Sequence, residues 1–204
     1  MYIPETIRSE KDFQDCIQFH GHTCMGVTIG YLAAKLALNV LKIKRSVDEE
    51  LVAIVENDAC CCDAIQVLTG CTFGKGNFFF KDHGKMAFTF ANRTSGEAIR
   101  LVLIPGVFDS SEEEQNLAEM IRSGRADTKD IQKYERIFEA RSEELFGHGP
   151  EAFFEMKKIT LQLPPKATRS TSHPCAYCGE MVMTSKLTMI NDQLVCKGCQ
   201  EEYY

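Results

Sequence analysis

Two imidazoles and a thiol lie within five residues near the start of the chain, at His20, His22 and Cys24. They alternate with Gly21 and Thr23, so an extended segment would point all three side chains to one side. Thiolate sulfur together with imidazole nitrogen suits zinc and other late transition metals. The alternative is structural, because a single histidine can cap a helix and a free cysteine often only packs. The alternating repetition of ligand types favours chemistry.

Cys24 comes just before residues 26–41, which predict a helix. The segment is apolar nearly all round, as is typical of a central, buried helix. The free N–H groups and the dipole at its start favour an anion, so this position favours the thiolate form of a cysteine. Cys24 is therefore a candidate metal ligand, or a nucleophile with a histidine as its base. Gly26 and Gly30 lie four residues apart in this helix and would let another backbone approach closely.

A triplet of cysteines follows a predicted buried strand. Residues 51–56 begin with a continuous apolar run rich in β-branched side chains, which favours such a strand. Cys60, Cys61 and Cys62 come after it, where α/β proteins often carry their chemistry. A short helix is expected over 64–69. Adjacent side chains cannot all face one site, so one or two of the three serve it and the others pack.

The remaining elements of the first 163 residues must position these groups. Residues 78–81 and 86–92 predict two strands of a hairpin around Asp82–Lys85. The loop Cys71–Asn77 is rich in glycine, but its spacing is not that of a P-loop. Other expected elements are helices over 6–20 with Ser9 as a candidate cap, from 95 to 100, from Ser110 to about Arg122 and from Asp127 or Thr128 to Gly147, and strands over 101–104 and 151–163.

Length and composition exclude several classes of protein. A chain of 204 residues allows one sizeable domain and a small one. The net charge of −6, with no long run of either sign, makes nucleic acid and an anionic membrane poor partners. The N-terminus lacks the apolar segment of a signal peptide, and the longest apolar runs are too short to span a bilayer. We expect a soluble cytoplasmic protein, where ten cysteines indicate metal or redox chemistry more than disulfides.

A second constellation of cysteines lies in the tail. Cys175, Cys178, Cys196 and Cys199 form the pattern C-x2-C-x17-C-x2-C, which is typical of a zinc site. Four thiolates make a closed, structural site, and zinc would supply the stability that so short a segment lacks. A hairpin over 181–195, followed by a helix that the last cysteine pair opens, predicts a treble clef. The alternative is two redox-active cysteine pairs without metal.

The linker-like composition of residues 164–173 marks a domain boundary, which gives domains over 1–163 and 164–204. Residues 164–204 contain equal numbers of basic and acidic side chains, whereas a finger that reads DNA needs a basic footprint. We therefore expect the finger to dock a protein partner or to stabilise the chain.

The chain resembles the FmdE-like proteins, named after the E subunit of molybdenum formylmethanofuran dehydrogenase. Four motifs carry the resemblance: Phe19-His20-Gly21-His22-x-Cys24-x-Gly26 with Gly30-Tyr31, Glu56-x3-Cys60-x2-Asp63-Ala64-Ile65-Gln66, Thr69-Gly70-Cys71-Thr72-x-Gly74-Lys75-Gly76-Asn77, and Asp82-x-Gly84-Lys85. Met25 stands where the family usually has proline. The resemblance implies an α+β core domain, an auxiliary treble-clef finger in some members and intertwined homodimers. It implies no established reaction, and it picks out Cys60 from the triplet.

The resulting fold class is α+β, with a mixed or antiparallel sheet packed with helices and a small C-terminal treble-clef zinc domain. Asp63 could orient an imidazole, and two lysines, if they converge, could hold an anionic substrate. The candidate core ligands are His20, His22, Cys24 and Cys60, with Cys71 nearby, and the candidate catalytic residues are Cys24, His20, Asp63, Lys75 and Lys85. The expected cofactors are structural zinc in the tail and zinc or another transition metal in the core.

Three hypotheses of function remain open. The first is a metal- or sulfur-handling accessory protein of one-carbon or molybdenum/tungsten metabolism. The second is a regulatory protein whose finger recruits a partner. The third is a zinc-dependent enzyme that polarises a small carbonyl or C1 substrate at an open site.

Overall fold

A computed structural model describes residues 3–167 and 170–201, so positions 168 and 169 of the predicted linker lie outside the described residues. The chain divides into two compact units, Met1–Lys166 and Ala167–Tyr204. The first unit combines helices with a five-stranded mixed sheet, and the second contains two small two-stranded sheets. The predicted α+β class is confirmed. None of the described helices is long and apolar enough to cross a membrane.

The sheet of the first unit has the strand order β2-β1-β3-β4-β5. Its strands are β1 (Leu51–Val55), β2 (Phe78–Phe80), β3 (Ala87–Asn92), β4 (Ala98–Leu103) and β5 (Phe154–Ile159). The strand β1 is buried along its whole length, as its continuous apolar run predicts. It pairs in parallel with β2 and antiparallel with β3, and the pairs β3–β4 and β4–β5 are also antiparallel.

The predicted hairpin between residues 78–81 and 86–92 is wrong. β2 pairs with β1, where Phe78 lies opposite Ala53, and β3 pairs with the other side of β1. The physical reason is the helix between β1 and β2, because a helical crossover returns the chain parallel to the strand it left. β1 therefore separates β2 from β3, and residues 82–85 pass its carboxyl end.

Helices cover one face of this sheet. The helices are α1 (Glu5–Arg8), α2 (Lys11–His20), α3 (Met25–Val40), α4 (Cys61–Thr69), α5 (Glu112–Arg122) and α6 (Thr128–Gly147). Leu36 of α3, Ile65 of α4 and Phe13 of α2 join Phe88 and Leu101 of the sheet in one core. The predicted helix over 26–41 is confirmed almost to the residue, since its apolar side chains are buried against the strands.

Several predicted boundaries need correction. Ser9 ends α1, where its hydroxyl donates to the Glu5 carbonyl, so one expected helix is two. Ser111 caps α5 in place of Ser110, whereas Asp127 caps α6 as expected. The helix expected over 95–100 is instead a turn at Gly96 and the start of β4, because strand pairing with β3 overrides local propensity. The last predicted strand shortens to β5.

The second unit is built from two hairpins and a short helix. β6 (Ser172–Pro174) pairs with β7 (Met181–Met183), and β8 (Leu187–Ile190) pairs with β9 (Gln193–Cys196), before α7 (Lys197–Gln200). The expected single hairpin over 181–195 is therefore wrong at its start, because β7 pairs backwards with β6. Its turn is as predicted: Asn191 and Asp192 have φ of 47° and 59°, which asparagine and aspartate tolerate.

Candidate metal centres

Three side chains from three helix ends meet on the first unit. His20 is the last residue of α2, Cys24 is the N-cap of α3, and Cys60 is the N-cap of α4. One ligand atom from each lies within 4.8 Å of the others, and His20 Nε2 is 3.8 Å from Cys24 Sγ. Gly21, at a φ of 96°, ends α2 and turns the chain so that Cys24 follows at the start of α3. We call these three residues the core cluster.

Two glycines of α3 allow α4 to carry Cys60 to Cys24. A Cβ on Gly26 would lie 2.9 Å from Cys60 Cβ, and a Cβ on Gly30 would lie 2.1 Å from the Cys61 carbonyl oxygen. Any side chain at Gly30 would therefore force the two helices apart. The close approach predicted from the spacing of these glycines is confirmed, and its effect is to place the start of α4 against the start of α3.

Hydrogen bonds orient two members of the core cluster. His20 Nδ1 lies 2.7 Å from Asp63 Oδ2, so an Nδ1–H donated to this carboxylate leaves Nε2 directed toward Cys24. Carboxylate–histidine pairs of this kind hold metal-ligating imidazoles in proteins. Cys24 Sγ accepts from the Val27 N–H at 3.5 Å. The hydrogen bond and the charge of Cys24, together with burial, raise the pKa of the Cys60 thiol.

The donor set and its spacing fit zinc. Tetrahedral zinc with ordinary bond lengths places a sulfur and a nitrogen ligand about 3.6 Å apart, and His20 Nε2 to Cys24 Sγ is 3.8 Å. Two sulfurs and one nitrogen make three protein ligands, and a tetrahedral ion has four positions. The core cluster thus resembles sites that keep one position open.

His22 lies beside the core cluster but outside the set of ligand atoms that come together. Its side chain is exposed, and its ring centroid is 4.5 Å from that of His20, with the planes tilted by 43°. The predicted alternation does not hold as one extended segment, since His20 is helical and Cys24 starts a new helix. The two imidazoles stack, and His20 is the one whose nitrogen faces Cys24.

The two candidate lysines are not brought together. The Lys75 ammonium donates to the carbonyls of Ser46 and Asp48, each at 3.1 Å, in the loop that enters β1. Lys85 lies beyond the other end of β1, where its N–H donates to the Glu56 carbonyl. Lys75 therefore stabilises a loop, and the idea that the pair holds one substrate fails because β1 separates them.

The other cysteines of the first unit are held by backbone and amide oxygens. Cys61 Sγ is 3.1 Å from Asn57 Oδ1, and Cys62 Sγ is 3.2 Å from the Asn57 carbonyl. Cys71 is fully buried with its thiol 3.3 Å from the Leu51 carbonyl, and burial raises its pKa to about 11. The structure thus places Cys60 alone of the triplet in the core cluster. All ten cysteines lie in the described residues, and each is a free thiol.

Sequence reasoning missed the groups that shape the Cys60 loop. The side chain of buried Asn57 accepts from the Ala59 N–H and donates to the Lys85 carbonyl, which joins two loops at the end of β1. Its only signal in the sequence was a polar residue directly after a strand. Such a residue is read as an ordinary turn unless its partner, Lys85, is known.

A buried carboxylate stands next to Asn57. Arg100 Nε donates to Glu56 Oε1 at 2.8 Å, and His83 Nδ1 lies 3.1 Å from Glu56 Oε2. These hydrogen bonds, the one from Arg100 above all, lower the pKa of Glu56 to about 2. The carboxylate is therefore ionised at neutral pH and ties β1 to β4 and to the loop after β2.

The four cysteines of the second unit, Cys175, Cys178, Cys196 and Cys199, form a tighter group, which we call the tail cluster. All four Sγ atoms lie within 4.8 Å of one another, with Cys175 to Cys199 at 3.9 Å and Cys178 to Cys196 at 4.0 Å. The edge of a tetrahedron of four sulfurs around zinc is about 3.8 Å. Cys175 and Cys196 are buried beside Val195, so the ligands also form the small core of this unit.

Backbone N–H groups surround the sulfurs of the tail cluster. The N–H of Cys196 donates to Cys175 Sγ at 3.3 Å, and the N–H of Cys199 donates to Cys196 Sγ at 3.4 Å. Backbone donation from Cys178 and Cys196 lowers the pKa of Cys175 to about 6. These donors stabilise thiolates, the form in which cysteine binds a metal.

The fold and the two clusters define an α+β protein with two thiol-rich groups that could each hold a metal ion. A family model described as "FmdE, Molybdenum formylmethanofuran dehydrogenase operon" matches residues 19–155, which is more than half of the chain. The chain therefore belongs to the FmdE family. The resemblance drawn from the sequence motifs is confirmed.

Two further proteins resemble this chain. A probable S-adenosyl-L-methionine-binding protein of Archaeoglobus fulgidus is 29% identical over 194 residues, which cover 92% of this chain and 52% of that protein. The chain thus spans about half the length of this relative. An FmdE-like protein of tungsten formylmethanofuran dehydrogenase type from Syntrophus aciditrophicus has a similar crystal structure, with a TM-score of 0.64, 24% identity and full coverage of both chains. The second likeness shows a shared fold.

Proposed function

We propose that this protein is a metal-binding accessory protein with an open zinc or other transition-metal site at the core cluster and a closed structural zinc site at the tail cluster. One observation carries the proposal: His20, Cys24 and Cys60 come from three helix ends, yet their ligand atoms lie within 4.8 Å of one another. Packing alone gives no reason to converge two thiols and an imidazole that Asp63 orients.

The residues of the core cluster have separate roles in this proposal. Asp63 fixes the tautomer of His20, so that Nε2 carries the lone pair. The N–H of Val27, at the start of α3, stabilises negative charge on Cys24. Zinc bound here would act as a Lewis acid toward an anionic or carbonyl oxygen. Exposed His22, stacked on His20, lines the approach to the site.

We assign a structural role to the tail cluster, as a treble clef that zinc holds together. The order of its parts supports this assignment: a cysteine turn, the hairpin of β8 and β9, and a short helix that Cys196 caps. Tyr177, Met181 and Met189 are each more than half exposed, so the unit offers apolar side chains to a protein partner. Deletion of residues 167–204 is expected to abolish capture of that partner and leave the core cluster intact.

The setting we propose is one-carbon or molybdenum/tungsten metabolism in the cytoplasm, with the chain as a homodimer. The description of the family model and the name of the Syntrophus relative support this setting. A second candidate function is a zinc-dependent enzyme that acts on a small carbonyl or C1 compound. The observation in its favour is that the core cluster offers three protein ligands, which leaves one position for a substrate.

Elemental analysis of the full chain tests the proposal. Protein purified without oxygen and without added metal is expected to contain two metal ions per chain, and Cys24→Ser to contain one. Cys62→Ser is the matched control, because Cys62 lies in the same segment as Cys60 but bonds to the Asn57 carbonyl, and it should retain both ions. Unchanged metal content together with unchanged thiol labelling in Cys24→Ser would refute the core site.

A further inference from the structure

A cleft of about 720 Å³ lies at the opposite end of the helix layer from the core cluster. The core cluster uses the end of α2 and the starts of α3 and α4. The cleft uses Asp12 and Asp15 in the first half of α2, Lys35 and Leu38 late in α3, and the last turns of α4. At 1.5 Å per residue, Lys35 is about 16 Å along the helix axis from Cys24. The cleft is therefore a separate site of a size usual for small ligands.

The floor of the cleft is aliphatic. Leu38, Ile43, Val67 and Leu68 line it, and they come from α3, from the segment after it and from α4. Leu68 is buried and the other three are half-buried, so their outer surfaces face the cleft. An apolar floor of this kind binds the hydrocarbon part of a ligand, because contact removes apolar surface from water.

One cation at the rim is fixed in place and has unused donors. Arg45 Nε donates to the Val67 carbonyl at 2.9 Å, and its Cγ packs beside Gly70, where an added Cβ would lie 3.1 Å away. Within the described residues, none hydrogen-bonds the two Nη groups of Arg45. A guanidinium held by its Nε and its stem is pre-organised to bind a carboxylate through its Nη groups.

The acidic side chains of the lining select among anions. Asp12 is already paired, since it accepts from Lys35 at 2.8 Å and from the Tyr31 hydroxyl at 3.1 Å. Asp15 pairs with Lys11 outside the cleft. These two carboxylates leave the lining near neutrality, so a doubly charged phosphate would meet repulsion that a single carboxylate meets less. The lining thus favours a ligand of one negative charge.

We propose that this cleft binds a small aliphatic monocarboxylate, with its carboxylate on Arg45 and its chain on the floor of Leu38, Ile43, Val67 and Leu68. The site is independent of the metal centres, and its occupation needs no metal. It would give the protein a second ligand at the far end of the three helices that build the core cluster.

Titration calorimetry of the full chain with hexanoate tests this proposal. Hexanoate is expected to bind, and Arg45→Ala is expected to weaken it roughly ten- to hundred-fold, the effect of losing a charged hydrogen-bonding partner. Lys44→Ala is the matched control, since it removes a neighbouring exposed cation that does not line the cleft, and it should bind as the parent does. Thermal unfolding of each variant shows whether the fold is retained.

Three probes of related shape separate the alternatives. Hexanol as tight as hexanoate would show an apolar cleft without a carboxylate site, and hexyl phosphate tighter than hexanoate would show a phosphate site; either result overturns the proposal. No binding of hexanoate, or equal binding by the parent and a folded Arg45→Ala, also overturns it. Binding that survives removal of metal by a chelator keeps the test separate from the proposed metal centres.

Discussion

In the C-terminal unit, four thiols converge from two cysteine pairs, each pair only three residues apart, with S–S distances of 3.9 and 4.0 Å. In the first unit, the three groups of the core cluster come from the ends of three helices, and their ligand atoms lie within 4.8 Å of one another. The first arrangement needs two local turns and one hairpin. The second needs a sheet, a helix crossover and two glycines that let α4 approach α3.

The difference shows two ways in which a fold and a metal site can depend on each other. In the C-terminal unit, Cys175 and Cys196 are themselves part of a very small core, so the metal we propose there would hold the unit together. In the first unit, a large core already fixes the helices, so the core cluster is pre-organised before a metal binds. A site of the first kind suits structure, and one of the second kind suits exchange or chemistry.

The sharpest way to break this contrast is Cys196→Ser. Because structural zinc contributes about 10–16 kcal/mol to the folding of small metal-binding units, we expect residues 170–201 to lose their ordered structure. Backbone amide exchange should rise throughout β6–β9 while the sheet of the first unit stays protected. His173→Ala is the control, since this exposed histidine lies outside the cluster. Persistent protection of β8 and β9 in Cys196→Ser would contradict a metal-dependent fold.

The corresponding change in the first unit is Gly30→Ala. The new Cβ would lie 2.1 Å from the Cys61 carbonyl oxygen, so α4 must move. We expect a loss of roughly 3 kcal/mol or more in unfolding free energy and loss of one metal ion per chain. Gly74→Ala should change little, because a Cβ there meets nothing within 4 Å. Denaturant unfolding and elemental analysis measure both effects, and a fully loaded, equally stable Gly30→Ala would disprove the role of the close approach.

Acid should weaken the first unit through Glu56. Its pKa is lowered from 4.5 to about 2 by Arg100 and His83, so the ionised carboxylate stabilises the fold above pH 4.5 and this contribution disappears as pH falls toward 2. The contribution is at most roughly 3 kcal/mol. Unfolding by denaturant at pH 7 and pH 3 should differ less in Glu56→Gln than in the parent. Glu155→Gln, on the exposed β5, should keep the parental difference.

The smallest expected effect is on the affinity of the core cluster. Asp63→Ala removes the partner of His20 Nδ1, and such losses weaken metal binding about 10- to 100-fold. Competition with a chromogenic chelator measures this change, and the ion at the tail cluster should be unaffected. Asp58→Ala, an exposed carboxylate near Cys60, is the control. Equal affinity in Asp63→Ala and the parent would show that this hydrogen bond does not tune the site.

Local pattern decided much of what could be read from the chain. The apolar run of β1, the apolar surface of α3 and the capping aspartate of α6 were all predicted correctly, because each depends on neighbours in sequence. The spacing of the four cysteines in the tail predicted a group that does converge, because each pair lies within one turn. Gly26 and Gly30 likewise indicated a close approach, although not its partner.

Pairing between distant segments decided the rest. No pattern in residues 78–92 states that β2 joins one side of β1 and β3 the other, and so the hairpin was expected in error. The same crossover carries Cys60, rather than Cys61 or Cys62, to Cys24, and it separates Lys75 from Lys85. The sequence by itself determined which residue types were present to bind a metal. The tertiary structure decided which of them meet, because that depends on contacts between residues far apart in the chain.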